Sequence, residues 1–579
     1  MGRAENISAT GRKHTARRPV VLRLLPLLTV LVLAGPVLAG FVGTVAPAFG
    51  IMPALGLYEP GLNAFRDLFA WPGFNSALRL SLSSGLGATL LSLALVTLIL
   101  ASLQDTKVFT LLRRLLSPLL SVPHAAAAFG LAFLIAPSGW IVRAVSPALT
   151  GWDRPPDLLI LQDPMGLSLI AGLVVKEVPF LLLMAMAAMG QVQSRRSLVI
   201  ARSLGYGREA AWLKAIFPRV YAQIRLPVYV VLAYSMSVVD VAVILGPNTP
   251  PPLSVQIVRW TSDPDLTLRL RAAAGALVQL GLVLASLVAW RGGEIVTAKL
   301  GMRWTESGQR APALRALRPL AILLAGISVL AVLLGLAGLI TWSFAGLWRF
   351  PDLLPQEFSL RSWLRFGPTL AQPLQETVVI AAVSTLIALV LTIGCLEAEH
   401  RHGLRMGRGG FWILYLPLLI PQVAFLPGVQ TLMISLGLTS GRAAVIAVHV
   451  VFVLPYVFLS LADPFRAWDK RYATIGGALG AGADRVLWTL RLPMLLAPVL
   501  TAAAVGFAVS VGQYLPTLLV GGGRVMTLTT EAVALASGGD RRAIGVYALV
   551  QTGAALVPFA LALFLPRLIW FNRKALYND

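Results

Sequence analysis

Long apolar segments dominate this chain and leave few folds open to it. Twelve such segments, each about 19 to 26 residues long, alternate with short polar stretches, and a helix of that length crosses about 30 Å of hydrocarbon. Backbone groups in lipid must pair within their own segment, which favours α-helices, and the short alternating strands of a barrel are absent from the sequence. We therefore predict an all-α polytopic membrane protein with about twelve transmembrane helices. The predicted spans are residues 20–45, 77–102, 112–136, 165–190, 224–246, 272–290, 319–342, 376–396, 411–436, 443–463, 495–520 and 545–567.

The charge distribution fits a membrane protein better than a nucleic-acid binder. The 579 residues are 57% hydrophobic and only 13% charged, with a net charge of +23. If the N-terminus is cytoplasmic, most Lys and Arg fall in cytoplasmic segments, as the positive-inside rule requires. We expect a multi-pass protein of the bacterial inner membrane with both termini in the cytoplasm. The basic stretch Arg12 to Arg18 precedes the first span, which we interpret as an uncleaved anchor. The single cysteine, Cys395, excludes an internal disulfide.

A polar, basic segment divides the chain into two similar parts. Residues 291–318 separate six predicted spans from six more. Pro118 and Pro123 in the third span of the first part match Pro417 and Pro421 in the second, and internal repeats of this size are typical of transporters. The predicted units are a first half at 1–290, a cytoplasmic linker at 291–318 and a second half at 319–579.

One cytoplasmic loop pattern is repeated in both halves. A leucine and two closely spaced glycines precede a short amphipathic run, which ends at a proline thirteen residues after the first glycine. The pattern comprises Leu204, Gly205, Gly207, Phe217 and Pro218 within 194–223, and Leu479, Gly480, Gly482, Leu492 and Pro493 within 466–494. A single loop of this kind could be an interfacial helix on lipid headgroups. Two copies with identical spacing favour two equivalent docking points for a two-fold symmetric partner.

Each loop is predicted to fold as two short helices around a glycine hinge. Gly205 and Gly207 permit backbone angles that other residues resist. We expect Pro218 and Pro493 to end the second short helix, because proline is poorly tolerated inside a helix. Two short helices set at an angle would form a rigid knob that transmits force to the next span.

These two loops resemble the signature loop of binding-protein-dependent ABC importer permeases. The resemblance covers nearly the whole chain as a fused, two-half permease of the type I importer fold, similar to the thiamine and ferric-iron permeases. It implies a cytoplasmic ABC ATPase, in two copies, docked at the two loops, and an extracytoplasmic substrate-binding protein, besides contact with membrane lipid. The usual glutamate of the family is replaced by Val199 and Thr474, and the usual first alanine by Ile200 and Ile475.

Shorter motifs resemble the Ynj-type inner-membrane permeases in more detail. They are Lys176–Phe180, Leu204–Gly207, Ser237–Asp240, Gly246–Pro247 and Asp263–Asp265.

Four polar residues in predicted spans are candidates for the transport pathway. Lys176 and Glu177 lie in the fourth span, Asp240 lies in the fifth, and Gln513 occupies the place in the second half that we take as equivalent to Asp240. Charges in lipid are costly and face a bundle interior or water. These residues either pair with neighbouring helices or line the pathway, and in the second case two acids favour a cationic or hydrogen-bonding substrate. A thiamine-like compound, iron and a polyamine all stay open.

The sequence contains no pattern typical of an enzyme. There is no Gly-x-x-x-x-Gly-Lys-Ser/Thr loop to hold nucleotide phosphates, so any ATPase is a separate subunit. No catalytic residue, cofactor or metal site is predicted, and we interpret Glu397, Glu399, His400 and His402 as a solvated helix face. The alternative function is a secondary transporter driven by an ion gradient, which would use intramembrane acids and not need the repeated loops. A membrane enzyme or scaffold would need a polar cluster or a soluble domain.

Overall fold

The computed structural model describes residues 20–119, 121–404, 406–438 and 441–569, and the basic stretch Arg12 to Arg18 lies outside them. The helices up to the linker are α1 Val20–Ala48, α2 Asn63–Ala70, α3 Phe74–Leu103, α4 Lys107–Leu119, α5 His124–Ile135, α6 Trp140–Val145, α7 Leu167–Gln191, α8 Ser194–Ser203, α9 Arg208–Ala211, α10 Phe217–Ser237, α11 Asp240–Leu245, α12 Leu253–Thr261 and α13 Leu268–Glu306. The later helices are α14 Leu317–Phe344, α15 Arg361–His402, α16 Arg408–Leu419, α17 Gln422–Ser435, α18 Arg442–Ala467, α19 Arg471–Ala478, α20 Ala483–Val486, α21 Leu492–Met494, α22 Leu496–Val511, α23 Leu515–Gly521, α24 Leu528–Leu535 and α25 Arg541–Ile569. Short 3₁₀ turns lie at Pro53–Leu55 and Pro312–Ala316, and π turns lie at Trp212–Ile216 and Leu487–Arg491.

The all-α polytopic class is confirmed. Within the described residues, nine helices are long and apolar enough to cross a membrane, and eleven spans result if each sharply bent helix pair is counted as one. All twelve predicted spans fall on helices. The one predicted span outside this count is the fifth, at 224–246, because the helix there is interrupted between α10 and α11.

The third span of each half is broken as predicted, but only the second proline of each pair stands at the break, since Pro118 and Pro417 lie within α4 and α16. Pro123 is the residue before α5, and Pro421 is the residue before α17. Proline lacks the N–H that would continue the preceding helix and disfavours helical geometry at the residue before it. In the second half the two pieces meet at an angle of 83°.

The order of elements repeats along the chain. Each half contains, in this order, a long helix, a broken third span, a fourth span, two short loop helices, a broken fifth span, a short helix and a last long helix. The predicted linker at 291–318 is helical over its first part, because α13 continues without a break from Leu268 to Glu306. The predicted boundary at residue 290 therefore lies inside a helix.

The first helix of each half packs against the other half. Helix α1 lies along α17, and α14 lies along α5. Glycines allow the close approach: a Cβ on Gly428 of α17 would overlap the Gly40 carbonyl of α1, and one on Gly130 of α5 would lie 2.9 Å from the Gly335 carbonyl carbon of α14. Small residues at such crossings let two backbones meet, as is common between membrane helices.

Candidate functional site

The first repeated loop begins with a glycine-closed helix end. Helix α8 ends at Ser203, and Gly205 adopts a φ of 84°, in the left-handed region that favours glycine. The Gly205 N–H donates to the Arg202 carbonyl at 3.0 Å, and the Tyr206 N–H donates to the Ala201 carbonyl at 3.2 Å. This pair of bonds satisfies carbonyls that a helix end otherwise leaves without partners. The chain is thereby turned sharply from α8 into α9.

The second loop has the same two hydrogen bonds at the end of its first helix. Gly480 follows α19 with a φ of 81°. Its N–H donates to the Gly477 carbonyl at 3.0 Å, and the Ala481 N–H donates to the Gly476 carbonyl at 2.9 Å. The predicted glycine hinge is therefore found at Gly205 and Gly480.

The second glycine of each loop is not needed for its backbone angles. Gly207 has a φ of −60° and Gly482 a φ of −65°, both of which any residue adopts. Each stands immediately before a four-residue helix, α9 or α20. The prediction that Gly207 supplies an unusual angle is wrong, because the turn is completed at the first glycine.

The prediction that the prolines end a helix is also wrong. Pro218 is the second residue of α10, and Pro493 is the second residue of α21. Proline is tolerated in the first turn of a helix because the N–H there has no partner to lose. A π turn leads directly into each of these helices. In the first loop the Phe217 N–H donates to the Trp212 carbonyl, and in the second the Leu492 N–H donates to the Leu487 carbonyl. Each short helix thus runs through a π turn into the next helix.

An apolar pair projects from each loop at the same relative positions. Ile200 and Leu204 are 53% and 61% exposed, and Ile475 and Leu479 are 56% and 82% exposed. Val199, at the place of the family's glutamate, is exposed as well. Exposed apolar residues that recur together on polar segments mark an interaction surface.

The first loop is anchored to the helix bundle by a buried tryptophan. The Trp212 side chain is buried, and its Nε1 donates to Gln104 Oε1 at 2.9 Å. Lys214 follows in the same π turn, and its ammonium donates to the carbonyls of Trp304 at 2.8 Å and Gln309 at 2.7 Å. Partial removal of water lowers the pKa of Lys214. The loop is therefore held by the bundle on one side and by the linker on the other.

The second loop is anchored by a network of side-chain ion pairs that the sequence did not predict. Glu397 is buried and accepts from Arg491 at 2.9 Å and from Arg401 at 2.7 Å. Arg401 also bonds Asp484 of α20 at 2.6 Å. The interpretation of Glu397 as part of a solvated face is wrong. The spacing of four residues between Glu397 and Arg401 was the available signal, since such pairs meet on one helix face.

The fifth span of each half is broken inside the bundle. Helix α10 ends at Ser237 and α11 begins at Asp240, while α22 ends at Val511 and α23 begins at Leu515. Leu515 is thus the structural counterpart of Asp240, so the match of Asp240 with Gln513 was off by two residues. Gln513 lies in the break itself.

Side chains from later helices satisfy the carbonyls freed at these breaks. Gln279 Nε2 donates to the Met236 carbonyl at 2.9 Å, and Ser254 Oγ donates to the Val238 carbonyl at 3.0 Å. In the second half, Thr529 Oγ1 donates to the Val511 carbonyl and accepts from Gln551 Nε2 at 2.6 Å. Interrupted helices in lipid require such partners, and in transporters they are frequent at substrate sites.

The fourth span carries two buried ionisable side chains, one basic and one acidic. Lys176 and Glu177 are both nearly inaccessible to solvent. The Lys176 ammonium donates to the Val122 carbonyl, just before α5. Glu177 Oε1 lies 4.0 Å from His124 Nε2, and His124 keeps about a third of its side chain exposed. The pair therefore borders the break of the third span.

Asp240 is a buried carboxylate at the start of α11. It accepts from the Val241 backbone N–H, and it forms no ion pair within the described residues. Tyr234 of α10 and Tyr514 of the second half's break lie within electrostatic range of its carboxyl group. Gln513 is the neighbour of Tyr514 in sequence and is partly exposed.

Tyrosines connect these two acids. The Tyr234 ring lies 5.0 Å from the ring of His124, which is the neighbour of Glu177. Tyr234 is also within electrostatic range of Asp240, and Tyr456 of α18 is within the same range of Glu177. The structure therefore brings Glu177 and Asp240 to one region that is bordered by both halves. Tyr234, Tyr456 and Tyr514 were missed, because single tyrosines in apolar segments give no sequence signal.

The fold and these features define a polytopic membrane permease. Two paired halves each present a broken helix to the interior and a hinged loop outside the spans. No family model matches the chain.

Comparison with known proteins gives the family. The chain is 30% identical over 528 residues to the inner membrane ABC transporter permease protein YnjC of Escherichia coli (strain K12), a match that covers 91% of this chain and 95% of YnjC. It is 28% identical over 179 residues to the molybdenum transport system permease protein ModB of Mycobacterium tuberculosis, covering 28% of this chain and 68% of ModB. It is 23% identical over 154 residues to the spermidine/putrescine transport system permease protein PotC of Haemophilus influenzae, covering 27% of this chain and 60% of PotC.

The chain belongs to the family of ABC transporter permeases, and the resemblance inferred from its loops is confirmed. It is the membrane-spanning permease subunit of an ABC importer. Permeases of this kind act with an ATPase and a substrate-binding protein.

Proposed function

We propose that this permease is driven by a separate cytoplasmic ATPase that docks at both repeated loops, one copy at each. The observation that carries the proposal is the identity of the two loop backbones. Both have a positive φ at the first glycine, the same two closing hydrogen bonds, and a π turn before the proline. Two equal knobs fit a partner with two-fold symmetry.

The exposed apolar pairs are the proposed contacts. One pair would enter a groove on each ATPase subunit: Ile200 and Leu204 on one subunit, Ile475 and Leu479 on the other. Burial of apolar surface stabilises such contacts by about 25 cal/mol per Å² before the losses of association are counted. Because Val199 and Thr474 replace the family's glutamate, neither loop can form the ion pair that this glutamate would make.

The proposed path of force leads from each loop to a broken helix. In the first half, α9 continues through the π turn into α10, which ends at the break before Asp240. In the second half, α20 continues through its π turn into α21, and α22 follows it and ends at the break before Leu515. Motion of a docked ATPase would thus reach the two interrupted fifth spans, and the π turns supply a deformable joint.

The proposed pathway runs between the halves, past Glu177, Asp240 and Gln513. Lys176 precedes Glu177 directly and its ammonium is bonded to the Val122 carbonyl, whereas Asp240 forms no ion pair among the described residues. Tyr234 and Tyr514 border the same region. Acids and aromatic rings together favour a cationic or hydrogen-bonding substrate.

The remaining parts of the proposal follow from the family and the repeat. The chain comprises a first half at 1–290, a linker at 291–318 and a second half at 319–579, with both termini in the cytoplasm of a bacterial cell. An extracytoplasmic binding protein delivers the substrate to the opposite face, and one copy of the chain suffices for one transporter.

The test is purification of the full-length chain from its native membrane, with and without one charge in each loop. We expect an ATPase to co-purify with the unaltered chain, less of it with Leu204→Asp or Leu479→Asp, and almost none with both. Leu149→Asp, at an exposed position of the loop that follows α6, is the matched control and should retain the ATPase. In proteoliposomes the purified complex should import substrate only with ATP.

The same preparations test the pathway. Glu177→Gln and Asp240→Asn should slow uptake while the amount of bound ATPase stays unchanged, and Asp157→Asn, in an exposed loop, should do neither. Uptake driven by an ion gradient without any ATPase would contradict the docking proposal, and normal uptake by both neutral variants would contradict the pathway.

A further inference from the structure

The linker between the halves folds back onto the first loop. Around the end of α13 at Glu306, its backbone is bonded to Lys214, whose ammonium donates to the Trp304 carbonyl in the last turn of α13 and to the Gln309 carbonyl after it. The same ammonium lies 4.5 Å from the centre of the Trp304 ring. Two hydrogen bonds and a cation–π contact therefore fix the linker against the first π turn.

This fold-back places two arginines on the hinge. The Arg310 guanidinium carbon would be 3.1 Å from a Cβ on Gly205, and Arg315 Nε would be 3.6 Å from a Cβ on Gly207. Both arginines are exposed. The Arg310 guanidinium thus lies over the tip of the first knob and still faces solvent.

The second loop has no such cover within the described residues. A Cβ on Gly480 or Gly482 would have no other heavy atom within 4 Å. Thr489 stands at the position of Lys214, and its hydroxyl donates to the Arg485 carbonyl of its own segment at 2.6 Å. Two loops with the same backbone therefore present different surfaces.

The two loops also differ in the charges around them. Arg310 forms no ion pair with any acid among the described residues, and Arg202 on α8 adds a second exposed guanidinium to the first loop. At the second loop, Arg471 is paired with Asp469 at 2.6 Å, and Asp484 of α20 is an exposed acid. Its counterpart in the first loop, Glu209 of α9, is buried. The surface around the first hinge is the more basic of the two.

We infer that the linker is a built-in part of the first docking surface, where Arg310 forms a contact with a carboxylate of the ATPase. The inference rests on the proposed docking at the two loops and adds that the two docking sites are chemically unequal. An acidic rim on the partner fits the exposed guanidinium, since charge complementarity at a rim directs association. The first site then depends on charge and on the linker, and the second depends mainly on its apolar pair.

Site-directed cross-linking can measure the two sites separately. Cys395 is buried, and Cys395→Ala gives a background to which Ser203→Cys or Ala478→Cys is added, each at the exposed residue before the leucine of its loop. In the complex with the co-purifying ATPase, Arg310→Glu should reduce cross-linking at Ser203→Cys by about threefold to tenfold. Cross-linking at Ala478→Cys should change by less than about twofold. Lys214→Thr, which frees the linker, should act in the same direction, and added salt should weaken the first site more than the second.

Charge reversal at Arg349, separated from the linker by the whole of α14, is the control and should leave both cross-links intact. An equal loss at both sites, or no loss at either, would overturn the inference while the docking proposal stands. If Arg310→Glu changes only the stability of the chain in anionic lipid and no cross-link, a lipid headgroup is the true partner and the inference is wrong. If the unaltered loops form no cross-link to any ATPase, the docking proposal itself fails.

Discussion

At the scale of single residues, the two glycines of each loop have different roles although their spacing is the same. Only Gly205 and Gly480 have φ values near +80°. An L-residue in the left-handed region costs about 1–2 kcal/mol, because its Cβ meets the following carbonyl. Gly207 and Gly482 have ordinary extended angles, so the loop pattern predicts the hinge but not which glycine forms it.

Gly480→Ala should weaken the second hinge, whereas Gly482→Ala should not. Neither added methyl group meets a neighbouring atom, so the backbone angle alone separates the two variants. A strain of about 1.4 kcal/mol corresponds to a tenfold change in a local opening equilibrium. Hydrogen exchange of the Ala481 amide, which bonds the Gly476 carbonyl, should become about tenfold faster in Gly480→Ala. Equal exchange in both variants would show that the hinge is not strained by a side chain.

At the scale of elements, the sequence predicts the broken third spans and misses the broken fifth ones. The third-span breaks have a local cause, because Pro123 and Pro421 stand at the interruption. The first half's fifth-span break lies at Val238 and Val239, two residues with no preference for a turn. It persists because Gln279 and Ser254 bond the freed carbonyls from helices that follow later in the chain. Tertiary partners of this kind cannot be read from a local pattern.

Removal of the Gln279 amide should loosen the break beside Asp240. In Gln279→Leu the Met236 carbonyl loses its donor in an apolar environment, which costs about 1–3 kcal/mol. Hydrogen exchange across 234–242 should become at least about fivefold faster, and the thermal midpoint of the purified chain should fall. Gln223→Leu, at an exposed position of α10, is the control and should leave both measurements unchanged. No change in Gln279→Leu would mean that the break holds without this bond.

At the scale of the whole molecule, the two halves are interlocked and not merely adjacent. The linear repeat suggests two self-contained units of six spans. Instead, α1 packs along α17, and α14 packs along α5. No pattern in the sequence indicates that the first helix of each half packs on the other half, because glycines in apolar helices are equally consistent with contacts inside one half. Because of this packing, movement of one half shifts a helix that belongs to the other half. Two loops with unequal surfaces can therefore still act on one transport pathway.

The crossing of α5 and α14 offers a direct test of this interlock. Gly335→Leu places a large side chain where even a Cβ would be 2.9 Å from the Gly130 carbonyl carbon, so the two helices must separate. Gly326→Leu makes the same change on the same helix where no heavy atom lies within 4 Å. Overpacking of this kind costs about 1–3 kcal/mol, and more where backbone must move. We therefore expect Gly335→Leu to lose its single peak in size-exclusion chromatography and its bound ATPase, and Gly326→Leu to retain both. If the two variants behave alike, close packing between the halves is not what holds the permease together.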